Sequence, residues 1–307
     1  MVHIGATIEQ MKILLATDGS EYSKGAANFL TGLKLTPHDE IMIFHAVYWI
    51  PFLYDADFYI ETLKEIKQEI APKVIDSIMD ILKPVNARIS TAIVEGSPAQ
   101  SIIDAVRTSD MDMVVMGARG IKGIESLFVG SETRAVAIKS PKPVLVAKLP
   151  LREQPVFKVL YATDGSDYSR DTGYFLNSMP FPDNTEITVL NVVPPEFLDI
   201  PETFVPKVNE RIIEIRDQAQ SIRLTNSQRI VEQAEKLLSK TIRTIKMLSE
   251  VGDTSAVILR VSEEIKADLI VVGCRGLRGI KGVMGSVSRN ILTHSKCSVL
   301  IGKTCEE

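Results

Sequence analysis

The sequence predicts an α/β protein built from two copies of one domain, each a parallel sheet with helices on both faces. Three observations predict it. Residues 13–30, ILLATDGSEYSKGAANFL, return 146 positions later as VLYATDGSDYSRDTGYFL (159–176), with Ala-Thr-Asp-Gly-Ser intact. MVVMGARGIKGIESLFVGSET (113–133) returns as LIVVGCRGLRGIKGVMGSVS (269–288), and PVLVAK (143–148) as SVLIGK (298–303). Within each copy, short apolar runs alternate with helical patterns, which calls for right-handed crossovers and a parallel sheet. Solenoid arrays repeat every 20–50 residues or so, so this longer period marks a duplication. The copies span 1–150 and 151–307, joined by the polar, proline-flanked linker Leu149–Pro155.

The elements of the first copy follow in order. Lys12–Thr17 is a short apolar run and reads as a strand. Ser20 caps a helix to Leu33, with Ala26, Ala27, Phe29, Leu30 and Leu33 on its apolar side. Glu40–Val47 is the second strand, and a helical pattern covers about Phe58–Leu82 with a break expected at Pro72. Ala87–Glu95 is the third strand. Ser97-Pro98 is a cap followed by a first-turn proline, opening a helix to Thr108. Met113–Met116 is the fourth strand, followed by a glycine-rich loop, a helix over Ser131–Lys139 and a closing strand. The second copy repeats this order with an insertion at about Pro194–Lys240 that carries a long charged helix, read as a solvated face.

Composition narrows the function classes. The chain has 307 residues with 35 Lys and Arg against 39 Asp and Glu, a net charge of −4. Neither a basic nucleic-acid-binding domain nor a disordered chain fits that balance with 45% hydrophobic residues. No apolar run approaches the roughly 20 residues of a membrane-spanning helix. Met1–Gln10 lacks the features of a signal peptide, so a cytoplasmic location is expected. Cys274, Cys297 and Cys305 match no zinc spacing and form no disulfide framework, and the four histidines are scattered, so no metal site is expected.

Ligands of open parallel sheets sit beyond the carboxyl ends of the strands. Two features fall there in each copy. One is Thr17-Asp18, and Thr163-Asp164 in the second copy, at the end of the first strand. The carboxylate there is equally a ribose acceptor or a helix-start residue held by the dipole. The other is the loop Gly117-x2-Gly120-x9-Gly130-Ser131-x-Thr133. Its glycines allow close backbone approach, it ends at a helix N-terminus that favours an anion, and its hydroxyls add donors. The alternative is a tight turn with Ser131 as a simple N-cap. The chain has no P-loop, no dinucleotide fingerprint after the first strand, no nucleophile elbow and no evident general base beside the loop, so no catalytic residue is assigned.

The Ala-Thr-Asp-Gly-Ser start, the Gly117-x2-Gly120-x9-Gly130-Ser131 loop and the closing Pro143-Val-Leu-Val run resemble the universal stress protein family. The resemblance covers nearly the whole chain, as in tandem members. It implies Rossmann-like (adenine nucleotide α-hydrolase-like) domains, each a five-stranded parallel sheet of order 3-2-1-4-5. It also implies an intrachain pseudo-dimer through the two fifth strands. Members with this loop bind ATP or AMP. By matching motif, Ala16, Thr17 and Asp18 border adenine and ribose, and Ala46 meets adenine through its backbone. Met116 and Gly117 line the ribose side, while Gly120, Gly130, Ser131 and Thr133 hold phosphates. The matching positions of the second copy are Ala162, Thr163, Asp164, Val192, Val272, Gly273, Gly276, Gly285, Ser286 and Ser288, with Arg119 and Arg275 adding positive charge to the two loops.

The copies differ. Eight residues separate Gly276 from Gly285, against nine in the first loop, which changes the reach of a phosphate-wrapping segment. The first loop balances Arg119, Lys122 and Arg134 against Glu125 and Glu132, whereas the second carries Arg275, Arg278, Lys281 and Arg289 with no acid, which favours a polyphosphate. Glu132, in the first helical turn, is expected to compete with phosphate. These differences predict two inequivalent sites. Phe44, Tyr48, Trp49, Phe52, Tyr54, Phe58 and Tyr59 cluster after the second strand and read as packing or a lid over the pocket, with a docking surface as the sharper alternative. Cys274 reads as a small buried filler rather than a reactive thiol. The expected function is adenine-nucleotide binding that serves as a regulator in stress response, acting on an unidentified protein partner, with no nucleic acid or membrane as partner and further homo-oligomers left open. One alternative is a slow ATPase or phosphotransferase using Mg²⁺ across the phosphates. The other is an interaction scaffold whose second site has decayed.

Overall fold

The computed structural model describes residues 10–48, 66–119, 129–148, 155–194, 210–239, 242–276 and 284–303. The strands of the first half are β1 (Lys12–Ala16), β2 (Glu40–Val47), β3 (Arg88–Glu95), β4 (Met113–Gly117) and β5 (Val144–Ala147). Those of the second are β6 (Phe157–Ala162), β7 (Thr185–Val193), β8 (Thr244–Val251), β9 (Leu269–Gly273) and β10 (Ser298–Gly302). They form one ten-stranded sheet in the order β3-β2-β1-β4-β5-β10-β9-β6-β7-β8, which is 3-2-1-4-5 read inward from each edge. All neighbours are parallel except β5 and β10, which pair antiparallel (Val146 with Val299, Leu145 with Leu300, Val144 with Ile301). The implied pseudo-dimer is therefore a continuous sheet within one chain.

The helices are α1 (Glu21–Thr31), α2 (Ala71–Leu82), α3 (Pro98–Thr108) and α4 (Ser131–Lys139), then α5 (Asp167–Ser178), α6 (Glu210–Leu238), α7 (Thr254–Glu264) and α8 (Ser286–His294). Among the described residues none is long and apolar enough to cross a membrane.

The inner strands β1, β4, β5, β9 and β10 are buried on both faces, which is why they read as unbroken apolar runs, whereas the edge strands β3 and β8 carry no fully buried residue. Successive side chains alternate between two cores. Ile13, Leu15, Met113, Val115, Val159, Tyr161, Leu269 and Val271 face one core, covered by α1, α2, α5 and α6. Leu14, Ala16, Val114, Met116, Leu160, Ile270 and Val272 face the other, covered by α3, α4, α7 and α8. Both cores run through the β5–β10 seam. On the first face Phe29 meets Phe157 with ring centroids 5.9 Å apart, and the Lys34 amide donates to the Pro180 carbonyl at 2.7 Å.

Two local expectations are corrected, at Pro72 and Ser97, and the alternative reading of Ser131 as an N-cap falls, while the helix over Ser131–Lys139 stands as expected. Pro72 does not end the helical run: it sits in the first turn of α2, where a π-helical turn at Ile66–Ile70 passes into the α-helix. Residues 58–65 of that pattern lie outside the described residues. Ser97 precedes α3 as expected, but its side chain makes no capping bond. Ser131 is the first residue of α4, and the N-cap is Gly130. The charged insertion is α6, whose amino-terminal part is exposed at Ile215 and Ile222 and whose carboxyl-terminal part buries Val231 and Leu238. Residues 149–154 of the linker and 195–209 before α6 fall outside the described residues. Of the aromatic cluster, Phe44 lies in the core and Tyr48 is exposed, and Trp49 to Tyr59 also fall outside.

Candidate functional site

The repeated Thr-Asp-Gly-Ser segment is a turn in which each residue has a task. Asp18 Oδ1 accepts from the Ser20 amide at 3.0 Å, and Asp164 Oδ1 from the Ser166 amide at 3.0 Å. Gly19 (φ +80°) and Gly165 (φ +76°) take the left-handed conformation that glycine adopts without strain. Ser20 and Ser166 then cap α1 and α5, accepting from the Ser23 and Ser169 amides. Thr17 Oγ1 and Thr163 Oγ1 reach the Ser23 and Ser169 hydroxyls at 3.1 and 3.0 Å. The ring of His45 donates from Nδ1 to the Thr17 carbonyl at 2.8 Å, and Asn191 Nδ2 donates to the Thr163 carbonyl at 2.7 Å. Chemically different side chains thus hold the same carbonyl beside Ala46 and Val192.

The glycine loop leaves the sheet at Gly117 and Gly273. A Cβ at Gly117 would stand 2.5 Å from the backbone of Tyr22, so α1 crosses the strand end at a distance only glycine allows. The far ends of both loops are anchored alike. The Gly130 amide donates to the Ala118 carbonyl at 2.9 Å, and the Gly285 amide to the Cys274 carbonyl at 2.8 Å. The one-residue length difference is therefore absorbed between identical anchors. The N-caps of α4 and α8 are Gly130 and Gly285, which have no side chain to accept from the first turn. Their opening amides are left without the partner that Ser20 and Ser166 supply to α1 and α5.

In the second half these parts enclose a cavity of about 380 Å³. All eleven expected residues line it: Ala162, Thr163, Asp164, Val192, Val272, Gly273, Arg275, Gly276, Gly285, Ser286 and Ser288. Ser169, Leu190, Thr254, Ile258, Met284 and Val287 complete the wall and were not expected from the sequence, because they come from α5, β7, α7, the loop end and α8 rather than from the motif. In the first half Ala16, Thr17, Asp18, Ala46, Met116, Gly117, Arg119, Gly130, Ser131 and Thr133 occupy the equivalent places in the fold, while Gly120 lies outside the described residues. Volume, apolar walls and a few convergent polar groups are those of a small-molecule site.

Some side chains are already engaged. Thr133 Oγ1 donates to the Gly117 carbonyl at 2.9 Å and Ser288 Oγ to the Gly273 carbonyl at 2.6 Å, so both hydroxyls brace the strand end against the helix. Arg119 lies over the Tyr22 ring, 5.3 Å from its centroid, with a guanidinium nitrogen 3.1 Å from the Tyr22 hydroxyl. Arg275 stacks on Tyr168 in the same way, at 5.1 and 2.7 Å. Both arginines stand at the loop rim. Cys274 is buried, in line with a filler.

Glu132 does not point toward the anion position. Its carboxylate turns to α3 and accepts from the Ala99 amide at 2.8 Å, supplying the cap that Ser97 omits. In the second half Val287 stands at the matching position, and Asp253 caps α7 from its own N-cap place through the Ala256 amide. The Glu132 part of the charge difference between the loops is therefore a rearrangement of helix capping.

A family model described as "Universal stress protein family" matches residues 10–148 and 156–303. A universal stress protein of Thermus aquaticus is 32% identical over 136 residues, covering 44% of this chain and 97% of its own. One from Methanocaldococcus jannaschii is 29% identical over 143 residues, covering 46% and 84%. A crystal structure of a universal stress protein from Archaeoglobus fulgidus superposes with a TM-score of 0.58 at 21% identity, covering 95% of this chain and 96% of that one.

Proposed function

The chain belongs to the universal stress protein family, and from that membership we propose that each half binds an adenine nucleotide, ATP or AMP, in the cleft beyond the ends of its first and fourth strands. The observation that carries this reading is the second-half cavity. It brings the glycine-capped start of α8, the Asp164 carboxylate and an apolar wall of Leu190, Val192, Ile258 and Val272 around one space. An anion at an uncapped helix start gains both the amide donors and the dipole. Phosphates would lie on the opening amides of α8 and on Ser286. Ribose would face Asp164, whose Oδ2 would lie 2.5 Å from a Cβ added to Gly276. Adenine would lie against Val192 and Ile258. Ala16, Thr17, Asp18, Ala46, Met116, Gly117, Gly130 and Ser131 would do the same in the first half, with Thr133 and Ser288 bracing the loops from below. The arginines, held over tyrosines, would close on the outer phosphates. Occupancy would change the surface at the loops, and that change is what a partner protein would read in a stress response.

The test is the mass of the protein purified under native conditions, followed by ATP and AMP titration monitored by thermal unfolding. Nucleotide at about 100 times its Kd adds roughly 2.7 kcal/mol of stability per site. Two nucleotides per chain are expected, falling to one in Gly276→Val, whose side chain would displace the Asp164 carboxylate. An apo mass together with no shift at millimolar nucleotide would overturn the reading.

A further inference from the structure

The antiparallel β5–β10 seam carries the residue after each strand into the opposite half. Lys148 follows β5, and its Nζ donates to the Ser295 carbonyl at 2.7 Å. Ser295 is the C-cap of α8, in the second half. Lys303 follows β10, and its Nζ donates to the Ala137 and Ile138 carbonyls at 2.8 and 3.1 Å, in the last turn of α4, in the first half. The Lys148 amide also donates to Ser298 Oγ at 3.2 Å. Lys148 is only 9% exposed. These helices are the ones whose opposite ends form the two clefts, and nine residues of helix span about 13 Å. Each lysine satisfies carbonyls that a helix end leaves without partners, and places a cation where the dipole is negative.

The electrostatic surroundings favour a specific use over a general one. Among the described residues, the charged or titratable groups that shift Lys148 are Arg119 and Cys297, and those that shift Lys303 are Cys274 and Arg275. Neither set includes a carboxylate. Burial pulls Lys148 down to about 8 and lowers Lys303 as well, with the neighbouring arginine adding to the shift in each case. Burying an ammonium is costly unless it is hydrogen-bonded, so each cation depends on the helix end it holds.

We propose that Lys148 and Lys303 are crossed positioning residues: the first half holds the helix that forms the second cleft, and the second half holds the helix that forms the first. Each cleft is then set by a side chain of the other half. Lys148 also feels the charge of Arg119 at the rim of its own half's loop, so an anion bound there would bear on the same ammonium that pins α8. Only the ligand readout below rests on the nucleotide reading.

Hydrogen exchange resolved by segment tests this in Lys148→Met and Lys303→Met, where methionine keeps a similar stem but neither charge nor donor. Without nucleotide, Lys148→Met should speed exchange at the carboxyl end of α8 by about tenfold, the value of a lost charged hydrogen bond, and leave α4 unchanged. Lys303→Met should do the reverse. With ATP, half-protection of the Gly285–Arg289 amides should need about three- to fivefold more nucleotide in Lys148→Met, with Gly130–Arg134 unaffected, and the mirror image is expected in Lys303→Met. A general loss of stability would loosen both helices alike in either variant, and that pattern, or an effect confined to the variant's own half, overturns the proposal. If ATP protects neither loop in the parent protein, the nucleotide reading fails and the ligand-free pattern alone decides the clamp. Should a methionine variant not fold, Lys148→Leu and Lys303→Leu, which also remove both charge and donor, give the same crossed comparison.

Discussion

Raising the pH from 8 to 10 should stabilise the parent protein relative to Lys148→Met. Burial lowers Lys148 from 10.5 to about 8, so the folded state loses this proton before the unfolded state does. Between those values the unfolded chain binds more protons, and stability rises with pH. The full gap of 2.5 units corresponds to about 3.4 kcal/mol, of which about 2 kcal/mol is recovered between pH 8 and pH 10. Lys303 is lowered by burial and acts with the same sign. Tyr161 is raised by burial, so its contribution is lost as the unfolded phenol ionises above pH 10 or so. Both groups are present in the parent and the variant, and both cancel in the difference. The assay is urea unfolding of the two proteins at pH 7, 8, 9 and 10, followed by circular dichroism, with the difference in unfolding free energy plotted against pH. A flat difference across that range would show that the Lys148 ammonium is not buried at the seam, and would refute the reasoning.

Further outcomes follow from close contacts in the structure. A Cβ on Gly302 would stand 1.9 Å from Thr172 Oγ1 and 2.6 Å from its Cβ, so Gly302→Ala should cost about 1–3 kcal/mol in urea unfolding. The matching positions of the first half are Ala147 and Ala26, and Thr172→Ala removes the Oγ1 and Cγ2 contacts but keeps the Cβ, so it should restore only part of that loss in the double variant. Glu132→Ala removes the acceptor for the Ala99 amide and should cost about 1 kcal/mol, whereas Glu132→Gln, which keeps an oxygen there, should cost less. His45→Asn should leave stability within about 0.5 kcal/mol, because Asn191 already holds the equivalent carbonyl, whereas His45→Leu should cost about 1–2 kcal/mol by orphaning Thr17 O.

Much of the site was legible because its parts are local. The Thr-Asp-Gly-Ser turn closes within six residues, and each identity answers a need of that turn: an acceptor, a left-handed position and a cap. Gly117 was legible as a place of close approach, although not what approaches it, since Tyr22 lies on a different element. The loop arginines were legible as charges and not as partners of Tyr22 and Tyr168, which sit 97 and 107 positions away. Glu132 shows the limit most clearly. Its place in a first helical turn suggested repulsion of an anion. Its rotamer serves another helix, and the absence of a capping bond from Ser97 is visible only once α3 and α4 lie side by side.

By itself the sequence determined the duplication, the strands, the turns and both glycine loops, because apolar periodicity, backbone φ preference and capping act over a few residues. The order of the strands and the pairing of the fifth strands were implied by family resemblance and are realised by the structure. Only the tertiary structure decided which side chain completes which helix. Glu132 reaches Ala99 across 33 positions, Lys148 reaches Ser295 across 147, and Lys303 reaches Ala137 across 166. A helix end must find a partner for its carbonyls or amides, but the requirement does not name the partner. That choice belongs to the packing, and here it follows from two short strands meeting edge to edge in opposite directions, which carries each terminal lysine past the seam and into the other half.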